Sequence, residues 1–151
     1  MSNLLQKINE DIKQSMLSKD AEKLSVLRML SAALQNKEIS LRQGEGKVEL
    51  NDEQIIETVQ SEIKKRRESM EVYISGQRPE LAAKEKNEIE ILNGYLPEQL
   101  PDNELEKIIK DIIAEIGGTP NFGQVMGQAM TRAKGKADGN RISALVKQIL
   151  Q

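Results

Sequence analysis

Apolar residues recur at spacings of three and four along nearly all of this 151-residue chain, which is the pattern of amphipathic helices. No segment alternates apolar and polar residues for long enough to predict a strand, because strands have a period of two. The sequence therefore predicts an all-α fold. Apolar stripes run through residues 5–16, 24–34, 55–73, 81–96, 105–116 and 142–149. A further helix is expected to begin after Asn121. The first stripe ends at Met16, and Met29 widens the second stripe, so the second helix is expected to be buried on two sides.

Polar residues and glycines indicate where these helices begin and end. Short polar side chains accept hydrogen bonds from the unpaired backbone N–H groups of a helix start. Candidates for this role are Ser2 or Asn3, Asp20, Asn51 or Asp52, Asp102, Asn121 and Asp138. Gly76 is predicted to end the third helix, the glycines at 117–118 the fifth, and Pro97 the fourth. The glycine- and charge-rich residues 40–50 are predicted to form a mobile loop.

Two prolines, Pro97 and Pro101, stand unusually close together and are predicted to mark a domain boundary. The expected organisation is an N-terminal helical bundle over residues 1–96, followed by a small three-helix C-terminal domain over residues 97–151. A domain of about fifty residues is marginally stable alone. We therefore expect the second domain to dock on the bundle or to be steadied by a partner.

Composition excludes several kinds of site. Cysteine and histidine are absent, which excludes disulfides, thiolate metal sites and an imidazole base. The sequence contains neither a phosphate-binding glycine-rich loop nor the serine motif of a hydrolase. Its acidic residues show no spacing that indicates a catalytic pair or a metal cage. The sequence therefore predicts no catalytic residue, no metal and no cofactor.

The chain shows no sign of a membrane segment. No apolar run approaches the roughly 20 residues that a bilayer-spanning helix needs. The first eleven residues lack the apolar centre of a signal peptide and carry acids early. These features predict a cytoplasmic protein without a membrane partner.

Positive charge is concentrated near the C-terminus. From Asn121 onward five Lys or Arg residues stand against one acid, a local net charge of +4, while the whole chain carries −2. This asymmetry predicts contact with an anionic partner. The five cations are Arg132, Lys134, Lys136, Arg141 and Lys147. Three of them surround the start of the seventh helix, where the helix dipole favours a phosphate group. Ordinary surface lysines are an equally acceptable interpretation.

Two further patterns have a structural and a functional interpretation. The charged run at residues 64–67 is better explained as a solvated helix face than as a nucleic-acid patch, because acids such as Glu62 lie at pairing distance from residues such as Arg66. Gly123 and Gly127 lie four residues apart on one face of the sixth helix. A close helix crossing is the favoured explanation, and a backbone left accessible to a ligand is the alternative.

Three stretches carry a recognisable pattern. They are Leu-Ser-Val-Leu-Arg-Met-Leu-Ser-Ala-Ala-Leu-Gln-Asn-Lys-Glu-Ile at 24–39, residues 63–100 from Ile-Lys-Lys-Arg-Arg-Glu-Ser-Met to Tyr-Leu-Pro-Glu-Gln-Leu, and residues 122–139 with Phe-Gly-Gln-Val-Met-Gly and Gly-Lys-Ala-Asp-Gly. Together they resemble the YqeY-like family over nearly the whole chain. The resemblance implies a helical bundle followed by a three-helix domain. The family is similar to the tail region of the B subunit of the glutamine-dependent aspartyl/glutamyl-tRNA amidotransferase, where the tail helps to bind tRNA.

The resemblance also implies a role beside tRNA amidation. The family is associated with carbon–nitrogen ligase activity that uses glutamine as amide donor. Such a ligase needs an ATP-binding fold and a Ser-Lys amidase, and this sequence shows neither. We therefore expect a non-catalytic module that binds tRNA or another structured RNA. Carried onto this chain, the RNA-contact candidates are Gln128, Arg132, Lys134, Lys136 and Arg141, with Gly123, Gly127 and Gly139 shaping the backbone.

The sequence leaves open an alternative function and the position at which the sixth helix ends. The alternative is an adaptor that docks on amidotransferase or aminoacyl-tRNA synthetase machinery without direct RNA contact. Its docking surface would be the glycine face with Met126 or Met130, because methionine-rich surfaces adapt to their partners. The open boundary is the end of the sixth helix, since Thr131 stands where many relatives have a proline.

Overall fold

The computed structural model describes residues 2–44 and 46–151. Within these residues the chain forms seven α-helices and no strand, which confirms the all-α prediction. The helices are α1 (Asn3–Leu17), α2 (Ala21–Leu41), α3 (Asp52–Ser75), α4 (Pro79–Asn93), α5 (Asp102–Ile116), α6 (Phe122–Arg132) and α7 (Gly139–Leu150). Helix α2 continues to Leu41, past the predicted start of the mobile loop. Glu45, inside that predicted loop, lies outside the described residues.

Most helix starts have the caps that the sequence predicts. The confirmed caps are Ser2, Asp20, Asn51, Asn121 and Asp138, whose side chains each accept a backbone N–H. At Asn121 the bond is reciprocal: its Oδ1 accepts the Gln124 N–H at 2.9 Å, and Gln124 Oε1 accepts the Asn121 N–H at 3.2 Å. The prediction that Asp102 caps α5 was wrong. Pro101 occupies the cap position and Asp102 is the first helical residue, so its carboxylate is directed to another partner.

Helix α3 ends just before Gly76, as predicted, but Gly76 does not adopt the left-handed conformation expected of a glycine at a helix end. Its last residue is Ser75, yet Gly76 has a φ of −84° and Gln77 carries the positive φ of 58°. The Arg78 N–H then donates to the Tyr73 carbonyl at 2.7 Å. This bond closes the helix end in the usual left-handed manner, with glutamine at the position that favours glycine.

Helix α4 ends at Asn93 and does not run to Pro97 as predicted. The N–H groups of Tyr95 and Leu96 donate to carbonyls three residues back, at 3.1 Å each, so the chain tightens before the proline. This turn buries the Tyr95 ring, and the Tyr95 hydroxyl donates to Asp11 Oδ2 at 2.6 Å. Burial, together with that bond, raises the pKa of the Tyr95 hydroxyl.

Between Leu96 and Pro97 the chain divides into two compact units. The first unit, the N-terminal bundle, contains α1 to α4 around an aliphatic core. Its buried residues include Ile8, Val26, Leu27, Leu30, Leu34, Leu50, Ile55, Val59, Ile63, Ile89, Leu92 and Tyr95. Two apolar residues predicted on the packed stripes were placed wrongly, because Met16 is 54% exposed and Met29 is 53% exposed. The second helix is therefore less buried than its apolar content predicted.

A buried ion network joins α3 to α4 inside the bundle. Arg66 is 4% exposed. Its Nη1 donates to Glu62 Oε2 at 3.0 Å, and its Nε donates to Glu88 Oε2 at 3.2 Å. The predicted Glu62–Arg66 pair is confirmed. The interpretation of residues 64–67 as a wholly solvated face was wrong, because Arg66 follows the buried Ile63 by three residues and so shares its face.

The second unit, the C-terminal unit (Pro97–Gln151), consists of α5, α6 and α7 around a separate core. Its buried residues are Leu105, Ile109, Ile112, Val125, Ala129, Ala133, Ala137, Ile142, Leu145 and Val146. Gly117 and Gly118 end α5 as predicted, with φ of 69° and 60°. In the described part of the chain, no helix is both long and apolar enough to cross a bilayer.

Candidate nucleic-acid interface

Helix α6 exposes bare backbone on its outer side. It buries Val125 and Ala129 and leaves Gly123, Gly127 and Gln128 exposed. A Cβ atom added at Gly127 would meet nothing within 4 Å, and one at Gly123 would meet Asn121 Oδ1 alone, at 3.4 Å. The favoured explanation of a close helix crossing was therefore wrong, since no described helix of residues 97–151 packs against these glycines. The alternative, an accessible backbone, describes this surface.

The end of α6 is settled by the structure. Thr131 lies inside the helix, and its hydroxyl donates to the Gly127 carbonyl at 3.1 Å. The helix then runs to Arg132. Thr131 therefore does not end the helix.

The glycine that shapes the backbone of this unit between α6 and α7 is Gly135. None of the three predicted backbone-shaping glycines, Gly123, Gly127 and Gly139, has a positive φ, whereas Gly135 has a φ of 76°. At Gly139 a Cβ atom would lie 3.8 Å from the Met130 side chain, an ordinary contact. Gly135 belongs to the Gly-Lys-Ala-Asp-Gly motif noted in the sequence. Nothing in that motif distinguished Gly135 from Gly139 as the residue with a positive φ.

The connection between α6 and α7, residues 133–138, projects two lysines and is called the lysine turn here. Ala133, Gly135 and Ala137 are buried, and the intervening Lys134 and Lys136 are exposed. Small residues alternating with lysine thus hold the backbone against the core while both lysines are exposed. This is the arrangement in which two point charges can meet the phosphates of a single ligand.

Two residues that precede α5 hold the lysine turn. The Leu100 N–H donates to the Lys136 carbonyl at 2.8 Å. The Gln99 side-chain amide donates to the Gly135 carbonyl at 2.8 Å and to the Pro97 carbonyl at 2.9 Å. The turn is therefore fixed from outside itself, by a segment more than thirty residues earlier in the chain.

Arg132 is bound to α5. Its Nη1 donates to Glu115 Oε1 at 3.3 Å, and its Nη2 makes a shorter contact with Oε2 of the same carboxylate. The hydrogen bond from Arg132 lowers the pKa of the Glu115 carboxyl. Both side chains are exposed, so the pair contributes little stability in water and stays within reach of a ligand.

Arg141, in the first turn of α7, ties that helix to the start of α5. Its Nε donates to Asp102 Oδ1 at 2.7 Å, and its Nη2 donates to the Leu100 carbonyl. Its backbone N–H donates to the capping Asp138 Oδ1 at 2.8 Å. The guanidinium that the sequence predicted as an RNA contact is thus engaged within the unit.

The C-terminal unit as a whole is neutral. Residues 97–151 contain seven Lys or Arg and seven Asp or Glu. The +4 of the chain from Asn121 onward is balanced over residues 97–120, where six acids stand against two lysines. Sequence reasoning missed these acids as partners, because Asp102 and Glu115 lie 39 and 17 residues from the arginines that they bind. The excess of acids over residues 97–120 was the feature of the sequence that could have indicated these partners.

The described residues contain no group of three His, Cys, Asp or Glu side chains placed to hold a metal ion. What the C-terminal unit offers is a surface: bare helix backbone, the amide of Gln128 and the paired lysines of the lysine turn. The chain is thus an all-α protein of two units, and the second unit carries this surface. A family model of the Yqey-like proteins matches residues 5–150. The chain belongs to that family.

Several fungal proteins are similar to this chain, and they share the name "Altered inheritance of mitochondria protein 41, mitochondrial". The one from Pyrenophora tritici-repentis is 25% identical over 151 residues, which cover 97% of this chain and 81% of the fungal protein. The one from Candida glabrata is 29% identical over 107 residues, 71% of this chain and 57% of its own length. The one from Saccharomyces cerevisiae strain YJM789 is 32% identical over 91 residues, 60% of this chain and 46% of its own length.

These names overturn the predicted cytoplasmic location, since each of the three relatives is named as a mitochondrial protein. The prediction rested on the first eleven residues and on the lack of a long apolar run. Such features are used to recognise membrane and secreted chains, and they do not distinguish the cytoplasm from the mitochondrion.

Proposed function

We propose that this chain is a non-catalytic helical module that binds tRNA or another structured RNA through the lysine turn and the outer side of α6. One observation carries the proposal: Lys134 and Lys136 are both exposed on a turn whose small residues are buried, and the helix that precedes the turn is open at Gly127. Lysines suit contact with phosphates, and the two glycines of α6, which lack side chains, let a ribose–phosphate backbone approach the helix closely.

Composition supports a structured RNA as the ligand. The C-terminal unit contains one aromatic residue, Phe122, which is too few to stack successive unpaired bases. Double-stranded RNA is recognised mostly by shape and by contacts to phosphates and 2′-hydroxyls. The family resemblance to an amidotransferase tail that helps to bind tRNA points the same way.

The proposed role is accessory to carbon–nitrogen ligase chemistry. The sequence has no ATP-binding motif and no Ser-Lys amidase, so an amidotransferase or a synthetase partner would supply the reaction. We therefore expect the pure chain to show no glutamine- and ATP-dependent amidation of a mischarged tRNA. Measurable amidation by the chain alone would contradict this part of the proposal.

The test is binding of the purified protein to total tRNA at several salt concentrations, by filter binding or fluorescence anisotropy. Two phosphate contacts predict a slope of log K against log salt of roughly −1.5 to −2. The double variant Lys134→Glu/Lys136→Glu should lose this binding. Lys107→Glu/Lys110→Glu is the matched control, because it reverses two exposed lysines of α5 in the same unit. No binding by wild type at low salt, or equal loss in both variants, would defeat the proposal.

A protein-interaction adaptor is the second candidate, and one observation favours it. Phe122 and Met130 are apolar yet 40% and 44% exposed, on the same helix as the open glycines. Such side chains suit a protein partner. If an amidotransferase or synthetase subunit co-purifies with the chain after nuclease treatment, and Met130→Glu abolishes that association, this second candidate replaces RNA binding.

A further inference from the structure

The segment before α5 and the lysine turn are one connected structure. The Leu100 N–H reaches the Lys136 carbonyl, and the Gln99 amide reaches the Gly135 carbonyl, both at 2.8 Å. From the other side, Arg141 donates to the Leu100 carbonyl and to Asp102. We call residues 99–102 the clasp segment. The Gly135 and Lys136 carbonyls are therefore both bonded to the clasp segment, and Arg141 links that segment to α7.

The left-handed residue makes this support necessary. Gly135 stands between the two lysines with a φ of 76°, and glycine loses more conformational freedom on ordering than any other residue. Within the turn, the Lys136 N–H donates to the Ala133 carbonyl at 2.8 Å. The bonds to Gln99 and Leu100 add the restraints that fix the Gly135 and Lys136 peptides, and thereby the directions in which the lysine side chains leave the backbone.

We propose that Gln99 and Arg141 are positioning residues for the RNA surface: they preorganise the lysine turn and make no phosphate contact themselves. The inference rests on the proposed function and deepens it, since it reassigns Arg141 from ligand contact to support. Preorganisation raises affinity because a loop ordered in advance loses less entropy on binding. By reciprocity, RNA bound at the lysine turn stabilises the clasp segment.

The experiment uses the full chain and measures two quantities, the salt-dependent affinity for tRNA and the hydrogen-exchange rate of the Leu100 amide. Gln99→Leu removes the donor to Gly135 and should lower affinity about three- to tenfold, the range expected for ordering one or two residues on binding. The salt slope should stay at the wild-type value, because no phosphate contact is lost. Exchange at Leu100 should quicken in this variant, and tRNA should slow it in wild type.

Arg141→Gln separates support from contact. As a positioning residue its replacement lowers affinity without changing the salt slope. As a phosphate ligand it would lower the slope by roughly 0.7 to 0.9, and that result overturns the inference for Arg141. Gln148→Leu, on the exposed side of α7, is the control for the glutamine-to-leucine change and should behave as wild type. Thermal unfolding of each variant shows whether its unit is folded.

The outcomes distinguish this inference from the proposed function. If wild type binds tRNA, the Lys134→Glu/Lys136→Glu variant does not, and Gln99→Leu binds as tightly as Gln148→Leu, then the positioning role is excluded and RNA binding stands. If wild type itself does not bind at low salt, both proposals fall. Unchanged Leu100 exchange in Gln99→Leu would show that the clasp segment does not depend on this amide, and would also exclude the inference.

Discussion

Lys19 and Gln77 are the non-glycine residues with positive φ in the described part of the chain, at 57° and 58°. Each follows a helix whose end is closed by a bond across the turn, as when the Asp20 N–H donates to the Ser15 carbonyl at 3.0 Å. The left-handed region costs a residue with a side chain about 1 kcal/mol relative to glycine. A glycine at either position would therefore make the fold more stable than the residue that the sequence has there.

Replacement of Gln77 by glycine should raise the free energy of unfolding by about 0.5 to 1 kcal/mol, because the strain of the left-handed conformation is removed. Urea denaturation followed by circular dichroism measures the change. Gln35→Gly, on the exposed side of α2, is the same substitution inside a helix and should lower stability by about 1 kcal/mol. Equal losses in the two variants would show that Gln77 is not strained.

Protonation of Glu85 contributes to the stability of the N-terminal bundle at low pH. Burial raises the pKa of its carboxyl, and the neighbouring Glu88 raises it further. A raised folded-state pKa means that the protonated form fits the fold better, so its stability contribution is present below the ordinary value of 4.5 and is lost as pH rises through the folded-state pKa.

Glu85→Gln imitates the protonated carboxyl and should therefore be more stable than wild type at pH 7. The advantage should shrink as pH falls toward 4, where wild type becomes protonated as well. Urea midpoints of both proteins across this range measure it. A variant that is less stable than wild type at pH 7 would contradict the prediction.

Local chemistry made the caps predictable, since a cap and the N–H that it accepts lie three residues apart. Partners that are distant along the chain were not predictable in this way. Glu88 lies 22 residues from Arg66 and Asp102 lies 39 residues from Arg141. Such pairs depend on how two helices pack, and a stripe pattern gives no register between helices.

At the scale of elements, α3 and α4 form the most closely associated helix pair of the bundle, and Arg66 lies between them. Its two carboxylate partners, Glu62 and Glu88, are themselves buried. A buried charge is tolerated only while its partners remain, because removal of one leaves the others uncompensated. The network thus makes the pairing of these two helices sensitive to a single residue.

Arg66→Met should lower the free energy of unfolding by about 3 to 5 kcal/mol, because it removes the buried cation between two buried carboxylates, of which Glu62 keeps its pair with Lys65 at 3.2 Å. The triple variant Glu62→Leu/Arg66→Met/Glu88→Leu should recover most or all of that loss. Lys64→Met, an exposed position on the same helix, should change stability by less than about 0.5 kcal/mol. Failure of the triple variant to recover stability would show that the network itself stabilises the bundle.

Helix boundaries were predicted well wherever glycine or a cap defines them, as at Gly117 and Asn121. They were predicted less well where packing decides. Helix α4 stops before Leu96 because Tyr95 turns into the core, and the aromatic pattern alone does not show that turn. The stripe of α2 was overestimated for the same reason, since Met29 is 53% exposed although its sulfur accepts a contact from Arg66 of α3 at 3.6 Å.

At the scale of the whole molecule, two aliphatic cores share no residue. The core of the C-terminal unit is the smaller, and a unit of about 55 residues is marginally stable. Its stability therefore depends on few side chains, among which Ile109 and Ile112 are fully buried.

Ile112→Ala should lower the stability of the C-terminal unit by about 2 to 5 kcal/mol and largely unfold it. Hydrogen exchange followed by mass spectrometry should show faster exchange over residues 102–150, with the helices around Ile8 unchanged. Ile116→Ala, at a partly buried position, should have a smaller effect. An equal rise in exchange in both units would show that the two cores unfold together.

The fold class and the location of the lysines followed from the sequence, because both depend on patterns along one chain. The charge balance of the surface did not, because it depends on which helix lies beside which. The five predicted RNA contacts accordingly divide in the structure. Lys134, Lys136 and Gln128 are exposed, and the guanidinium groups of Arg132 and Arg141 are bound to acids of α5.

Glu115 and Asp102 act as resident counter-ions for those two arginines. A polyanion that approaches them exchanges one anion for another and releases few mobile ions, so charge density alone recruits it poorly. If the chain binds tRNA as proposed, heparin should compete weakly for this reason. The acids of α5 would then favour a ligand that fits the lysine turn and the exposed glycines of α6 over other polyanions.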